Sequence, residues 1–255
     1  MKQIVLTLTA AAMMCSLSAT AQTRVKNVYT EAKSFNVEQV QNTEQTTQVN
    51  RYLMAGYNTL CLPMSMSADQ LAASGITIER MAAIHQEGST LKLYFVDCTN
   101  EGIEAGVPYL IYSPKTQYLR VKNTDAARIA TELKTVRMSD GQGNQVAFSS
   151  SWDVKQKDGL FGIPARQNVT PLESVLVRTT GDLSFLPTRC GFAWEQQSST
   201  AEALEIVHAS DADVTAINAV RNDDATAADA YDLAGRKHAA PVKGVNIING
   251  KKVVK

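Results

Sequence analysis

The sequence has few of the residues on which enzyme and metal sites usually depend. It contains three histidines and four cysteines among 255 residues. Neither the H-E-x-x-H nor the C-x-x-C pattern of common zinc sites occurs, and G-x-S-x-G, the nucleophile turn of many serine hydrolases, is also missing. We therefore predict no catalytic residue, no metal ligand and no cofactor.

Apolar runs of membrane length are lacking as well. The run Ile4–Leu17 is shorter than the roughly 20 residues that a helix needs to cross a bilayer. It follows Lys2 and precedes an A-x-A site at residues 19–21, which is the order of segments in a cleaved secretory signal. The sequence thus predicts a signal peptide at residues 1–21 and a mature chain, secreted or at the cell surface, without a transmembrane segment.

An excess of charge of either sign is missing. The chain has 25 basic and 25 acidic residues, and loss of Lys2 with the signal leaves a net charge of −1. Such a balance gives no general attraction to nucleic acid or to an anionic membrane. We expect no nucleic-acid partner.

Cysteine is scarce and odd in number once the signal is removed. Cys15 leaves with the signal, and three cysteines remain. This number allows one disulfide and one free thiol, or three reduced core thiols. If a disulfide forms, we predict that it joins Cys98 to Cys190. Cys61 lies in the apolar run TLCLPM, which indicates a buried thiol.

Most of the chain has the pattern of an all-β protein. Residues 49–208 contain many short strand-like segments separated by Gly, Pro, Asn and Asp, which predicts an antiparallel β-sandwich body. A capping box at residues 67–70 predicts one short helix ending at Gly75. Residues 85–88 are predicted as a hairpin loop, and residues 141–144 as another. Residues 22–48 form a polar lead-in that can add an edge strand, and residues 209–230 are predicted to be an acidic, Ala-rich linker.

The end of the chain has a strong hairpin signal. Asn249-Gly250 suits a type I′ turn, which would pair Ile248 with Lys251 and Val245 with Val254. A lone hairpin is marginal in water, so the segment YDLAGRK is expected to add a third strand. Residues 231–255 are therefore predicted to form a small, basic β element.

This tail resembles a known export signal. The pattern Y-D-L-x-G-R, then G-V-x-I-I-N-G and a closing K-V-V-K, is similar to the type A C-terminal sorting domain of type IX secretion cargo in the Bacteroidota. The resemblance implies that export machinery recognises the tail after passage through the periplasm. The residues that carry it are Tyr231, Asp232, Leu233, Gly235, Arg236, Gly244, Asn249, Gly250, Lys252, Val253, Val254 and Lys255.

The body resembles a module that recurs in secreted proteins of the same group. The segments TLCLP (59–63), EAGVPYLI (104–111) and GIPA (162–165) carry this resemblance. It implies a sheet scaffold and no particular reaction. Pro63 is expected to end a strand, Gly106 to permit a turn, and Tyr109 and Ile111 to lie on one face.

Three further sets of residues are candidate functional sites. A nucleophile pair would join Cys190 to His85 or His208. Carboxylates for glycoside hydrolysis, some of them also oxygen ligands for calcium, would come from Glu79, Glu87, Asp97, Glu101 and Glu104. A stacking platform for sugars would come from Trp152, Trp194, Tyr94, Tyr109, Tyr112 and Tyr118.

Ordinary structural roles explain these sets more simply, because loop acids are usually solvated and aromatic residues usually pack in the core. The sequence therefore favours a non-enzymatic secreted or cell-surface protein with a role in binding, adhesion or envelope structure, whose ligand is a glycan or a surface protein. A secreted hydrolase, either a glycosidase or a cysteine enzyme, is the alternative.

Overall fold

The structure is a computed structural model that describes residues 25–32, 35–41, 46–123, 129–130, 132–156, 159–164, 176–180, 184–226, 230–232, 237–238, 245–248 and 251–254. The predicted signal peptide lies outside the described residues. So do seven of the twelve residues that carry the resemblance of the tail: Leu233, Gly235, Arg236, Gly244, Asn249, Gly250 and Lys255.

Strands are the main secondary structure of the described chain, which confirms the all-β prediction. The strands before the tail are β1 (Lys26–Tyr29), β2 (Thr47–Leu53), β3 (Gly56–Leu60), β4 (Thr77–Glu87), β5 (Thr90–Asp97), β6 (Tyr109–Ser113), β7 (Gln117–Lys122), β8 (Val136–Ser139), β9 (Gln145–Ser150), β10 (Lys155–Gln156), β11 (Phe161–Gly162), β12 (Val177–Arg178), β13 (Ser184–Phe185), β14 (Cys190–Gln196) and β15 (Ala203–Ala209). The helices are α1 (Glu38–Gln41), α2 (Ala68–Ser74) and α3 (Asp211–Thr226), with a 3-10 turn at Thr99–Glu101.

Three sheets form the layers of the body. The middle sheet has the order β15-β5-β4-β6-β3, the first outer sheet β1-β2-β7, and the second outer sheet β12-β11-β14-β9-β8. A short two-stranded sheet, β10-β13, accompanies them. Most pairs are antiparallel, but β1 with β2 and β15 with β5 are parallel, so the body is a mixed rather than a purely antiparallel sandwich.

Each face of the middle sheet contributes to a separate apolar core. On β6, Tyr109 and Ile111 pack with Val49 and Leu119 of the first outer sheet, whereas Leu110 packs on the opposite side. This alternation follows from the two-residue period of a strand. It confirms that Tyr109 and Ile111 share a face, and it explains why residues 109–111 are apolar on both faces: the strand is buried on both sides there.

The second core is built around three phenylalanine rings. Phe148 and Phe192 stack with their centroids 4.4 Å apart, and Phe95 of the middle sheet meets both rings edge-on. All three side chains are fully buried. This cluster joins the middle sheet to the second outer sheet.

Gly106 has the turn conformation that the sequence predicts for the EAGVPYLI segment. Its φ is +79°, and a Cβ at this position would lie 2.5 Å from the carbonyl oxygen of Glu132. Both the backbone conformation and the close approach require glycine. The motif therefore has a structural role in this chain.

Hairpin loops are predicted from the sequence at residues 85–88 and 141–144. The first prediction is wrong for residues 85–87, because β4 continues to Glu87 and His85 pairs with Lys92. Gly88, with φ +60°, begins the shorter turn. The predicted loop at residues 141–144 is confirmed, because it connects the antiparallel strands β8 and β9.

The helices include one that was predicted and one that was missed. In α2, the side chain of Ser67 accepts from the backbone of Gln70 and the side chain of Gln70 accepts from the backbone of Ser67, and the helix ends at Gly75 as predicted. The predicted linker at 209–230 contains α3 over 16 residues. Ser210 and Asp213 begin this helix with the same reciprocal backbone bonds, so α3 also starts with a capping box.

The tail forms its own four-stranded sheet. Its strands are β16 (Ala230–Asp232), β17 (Lys237–His238), β18 (Val245–Ile248) and β19 (Lys251–Val254), in the order β17-β16-β18-β19. The register pairs Ile248 with Lys251 and Val245 with Val254, as the turn signal predicted. The segment from residue 230 onward adds two strands rather than one.

Candidate functional site: an exposed tyrosine and amide face

The first outer sheet has one buried face and one open face. Strand alternation turns the apolar side chains of this sheet towards the middle sheet, where Val28, Val49, Leu53, Leu119 and Val121 are buried. The intervening residues lie on the opposite face. In register across the three strands, this face carries Asn27, Gln48 and Lys122 in one row, Tyr29, Asn50 and Arg120 in the next, and Tyr52 and Tyr118 in a third. We call these eight residues the tyrosine–amide face.

Tyr118 contacts the other two tyrosines of this face. Tyr52 and Tyr118 are cross-strand neighbours with ring centroids 5.3 Å apart, and Tyr29 meets Tyr118 edge-on at 5.9 Å. Edge-to-face contacts of this kind are favourable for aromatic rings. Tyr29 and Tyr118 nevertheless remain 48% and 42% exposed, so their outer surfaces are open to a ligand.

The three amides are held in position by each other. Gln48 donates from Nε2 to Asn27 Oδ1 (3.1 Å) and to Asn50 Oδ1 (2.9 Å), and Asn50 Nδ2 donates to Asn27 Oδ1 (3.2 Å). Asn50 is almost fully buried and also bonds the backbone carbonyls of Val28 and Gln48. Within this network, Asn27 Nδ2 is left as a donor and Gln48 Oε1 as an acceptor.

A buried ion pair on the inner side of the sheet stabilises the tyrosine–amide face. Arg51, which is 1% exposed, lies on the inner side of β2, and its Nη1 is 2.8 Å from Glu31 Oε1. The same Glu31 oxygen accepts from the backbone N–H of Tyr52 at 2.9 Å. Burial lowers the pKa of Arg51, and the neighbouring carboxylate opposes that shift. The pair fixes the chain after β1 against the strand that carries Tyr52.

Only part of the aromatic set named from the sequence lies on an open surface. Tyr118 is on the tyrosine–amide face, and Tyr112 is exposed elsewhere, beside Tyr57. The other four are structural, each half-buried or buried: Tyr109 accepts from Glu104 N, Tyr94 donates to Glu87, Trp194 donates to Asn144, and Trp152 packs against the second core. Sequence reasoning missed Tyr29 and Tyr52, although the alternation N-V-Y and V-N-R-Y-L could have identified them.

The thiols are not arranged for catalysis. Cys61, Cys98 and Cys190 are all free and buried, which confirms the burial predicted for Cys61. The predicted Cys98–Cys190 disulfide is wrong for this structure, because the two thiols lie in different cores. Burial raises the pKa of Cys98 and of Cys190 to about 12, and that of Cys61 well above its usual value. A thiolate nucleophile is therefore not available near neutral pH.

The histidines named for a nucleophile pair have other surroundings. His85 lies within β4. His208 Nδ1 is 2.7 Å from Glu79 Oε2, and its ring stacks on Tyr57 with centroids 4.4 Å apart. Burial raises the pKa of Glu79, and the hydrogen bond from His208 opposes this. The arrangement ties β15 to β4 at the rim of the second core.

The five carboxylates considered for hydrolysis all have structural partners. Glu79 and Asp97 are cross-strand neighbours, but Glu79 binds His208 and Asp97 Oδ1 accepts from Thr99 N at 2.7 Å. The remaining pairs are Glu87 with Lys92, Glu101 with Arg80, and Glu104 with Lys134. No cluster of three metal-ligating side chains occurs among the described residues.

Comparison with models of known protein families, with curated proteins and with solved structures found no match for this chain. Within the described residues, none of the helices combines the length and the apolar character needed to cross a membrane. The tyrosine–amide face is therefore the feature of the described chain that bears most directly on function.

Proposed function

We propose that this chain is a non-enzymatic exported binding protein whose tyrosine–amide face binds carbohydrate. The observation that carries the proposal is the pair of exposed, mutually supported rings of Tyr29 and Tyr118 beside a preorganised amide cluster. Aromatic rings offer a flat apolar surface to the C–H face of a sugar, and amides bond its hydroxyl groups as both donor and acceptor.

The amide network supports this assignment because it reduces the cost of binding. Asn27, Gln48 and Asn50 already hold one another in place, so little side-chain freedom is lost when a ligand binds. The edge contacts among the tyrosines have the same effect. A preorganised face of rings and amides suits a ligand that is both apolar and rich in hydroxyl groups.

The test is a glycan array with the full mature chain, followed by calorimetry on the best glycan. Replacing Tyr118 by Ala removes a ring on which the sugar stacks. Such stacking contributes about 1 kcal/mol to the binding free energy, so the Kd should rise about fivefold. Tyr112→Ala is the matched control, since Tyr112 is 41% exposed and also contacts another tyrosine. Unchanged affinity in Tyr118→Ala, or an equal loss in both variants, would reject the face as the binding site.

We also propose that residues 231–255 direct export by the type IX route. The resemblance of the tail supports this, and the four-stranded sheet supplies a small folded element for a receptor to recognise. Helix α3 precedes the tail in the chain and is about 24 Å long, at 1.5 Å per residue. Deletion of 231–255 should leave the body folded and retained in the periplasm of the native cell. Equal surface accessibility to protease for truncated and full-length protein would contradict the sorting role.

A further inference from the structure

We propose that the carbohydrate bound by the tyrosine–amide face carries acidic groups, and specifically the carboxylates of uronic acid residues. This inference rests on the proposed function and names the class of its ligand. The inference is drawn from the basic residues of the face, for which the binding of a neutral sugar by tyrosines and amides gives no role.

The outward-facing basic residues of the first outer sheet lack a carboxylate partner among the described residues, unlike several basic residues elsewhere in the body. On the other sheets and their loops, Arg80, Lys92, Lys134 and Arg137 each contact a carboxylate. On the first outer sheet, neither Lys26 nor the two basic residues of the face, Arg120 and Lys122, has an ion-pair partner in the part of the chain that the structure describes. In a chain of balanced charge, this leaves a local positive surface.

The position of Arg120 connects this charge to the stacking surface. It follows Tyr118 by two residues on β7, so the two side chains leave the same face about 7 Å apart along the strand. Arg120 is also the cross-strand neighbour of Asn50, and Lys122 that of Gln48. A sugar ring stacked on Tyr118 therefore places its substituents beside the guanidinium. The planar fork of an arginine matches a carboxylate with two parallel hydrogen bonds.

The second tyrosine pair lies next to a histidine that is bound to a carboxylate. There Tyr57 contacts Tyr112 and stacks on His208, whose Nδ1 is bound to Glu79. An acidic ligand would meet a carboxylate at that cluster and two cations at the tyrosine–amide face. Charge complementarity therefore selects the tyrosine–amide face for an anion.

The experiment compares an oligogalacturonate with its fully methyl-esterified form, which keeps the sugar ring and removes the charge. Calorimetry with the full mature chain should show at least tenfold tighter binding of the acid, since a hydrogen bond to a charged group is among the strongest in proteins. The affinity should fall as salt is added. Arg120→Gln should abolish the preference for the acid without preventing binding of the ester.

Lys115→Gln is the control variant, because Lys115 is exposed and unpaired among the described residues but lies in the turn before β7. A loss in this variant equal to that in Arg120→Gln would indicate general attraction and overturn the inference. Equal affinity for acid and ester would also overturn it while leaving carbohydrate binding intact. Binding of neither ligand, nor of any glycan on the array, would reject the inference and the proposed function together.

Discussion

Replacing Glu31 by Ala should destabilise the first outer sheet strongly, because it leaves a buried charge without its partner. Arg51 is 1% exposed, and its remaining acceptors are the backbone carbonyls of Tyr52 (2.7 Å) and Thr59 (3.3 Å). Removing one member of a buried ion pair typically costs about 3–5 kcal/mol. The same substitution leaves the N–H of Tyr52 without its acceptor. Because the Glu31 side chain is 25% exposed, water enters part of the space, and we expect a loss of about 3 kcal/mol.

The measurement is urea unfolding followed by far-UV circular dichroism on the mature chain. Glu101→Ala is the control, since its partner Arg80 is 43% exposed and Glu101 itself 62%, and exposed pairs contribute about 0–1 kcal/mol. The double variant Glu31→Ala/Arg51→Met should recover much of the loss in stability, because it also removes the buried charge that Glu31→Ala leaves without a partner. A loss below about 1 kcal/mol in Glu31→Ala, or no recovery in the double variant, would refute the reasoning.

Three further outcomes are expected. Phe148→Ala should cost about 3–5 kcal/mol in urea unfolding, because Phe148 is fully buried and stacks on Phe192; a loss under about 1 kcal/mol would contradict the described core. Cys61 should not react with Ellman's reagent until denaturant is added, because burial raises the pKa of this thiol and closes access to it; rapid native labelling would contradict its burial. Burial also raises the pKa of Glu79 in the folded state. The contribution of Glu79 to the free energy of unfolding should therefore fall as the pH rises from the ordinary pKa of glutamate through the raised pKa of the folded state. Glu79→Gln should flatten that part of the pH–stability curve, and an unchanged slope would exclude Glu79 as its source.

Features that depend on neighbours along the chain were predictable from the sequence. The register of β18 and β19 follows from the Asn249-Gly250 turn signal, and the limits of α2 follow from its capping box and Gly75. The burial of Cys61 follows from its apolar neighbours. In each case the relevant interactions lie within a few residues, so local chemistry is sufficient.

Two local predictions failed because polar segments with few apolar residues were assigned to a loop and a linker. Residues 85–87 are polar, yet they extend β4, since a solvent-facing strand needs its backbone partners in β5 and no apolar side chains. Helix α3 was interpreted as a linker for the same reason. Its start at Ser210 and Asp213 is encoded by capping chemistry, which acts through the backbone and is independent of hydrophobicity.

The candidate site was decided by tertiary structure alone. Its side chains come from residues 26–29, 47–53 and 117–122, and nothing within any one of these segments specifies the other two as its neighbours. Pairing of β1 with β2 and of β2 with β7 brings the three tyrosines, the amides and the cations Arg120 and Lys122 onto one surface. The sequence by itself indicated that these segments are strands, whose side chains alternate between two faces. Which strands lie next to each other depends on burying their apolar sides against the middle sheet, an interaction that only the folded chain can make.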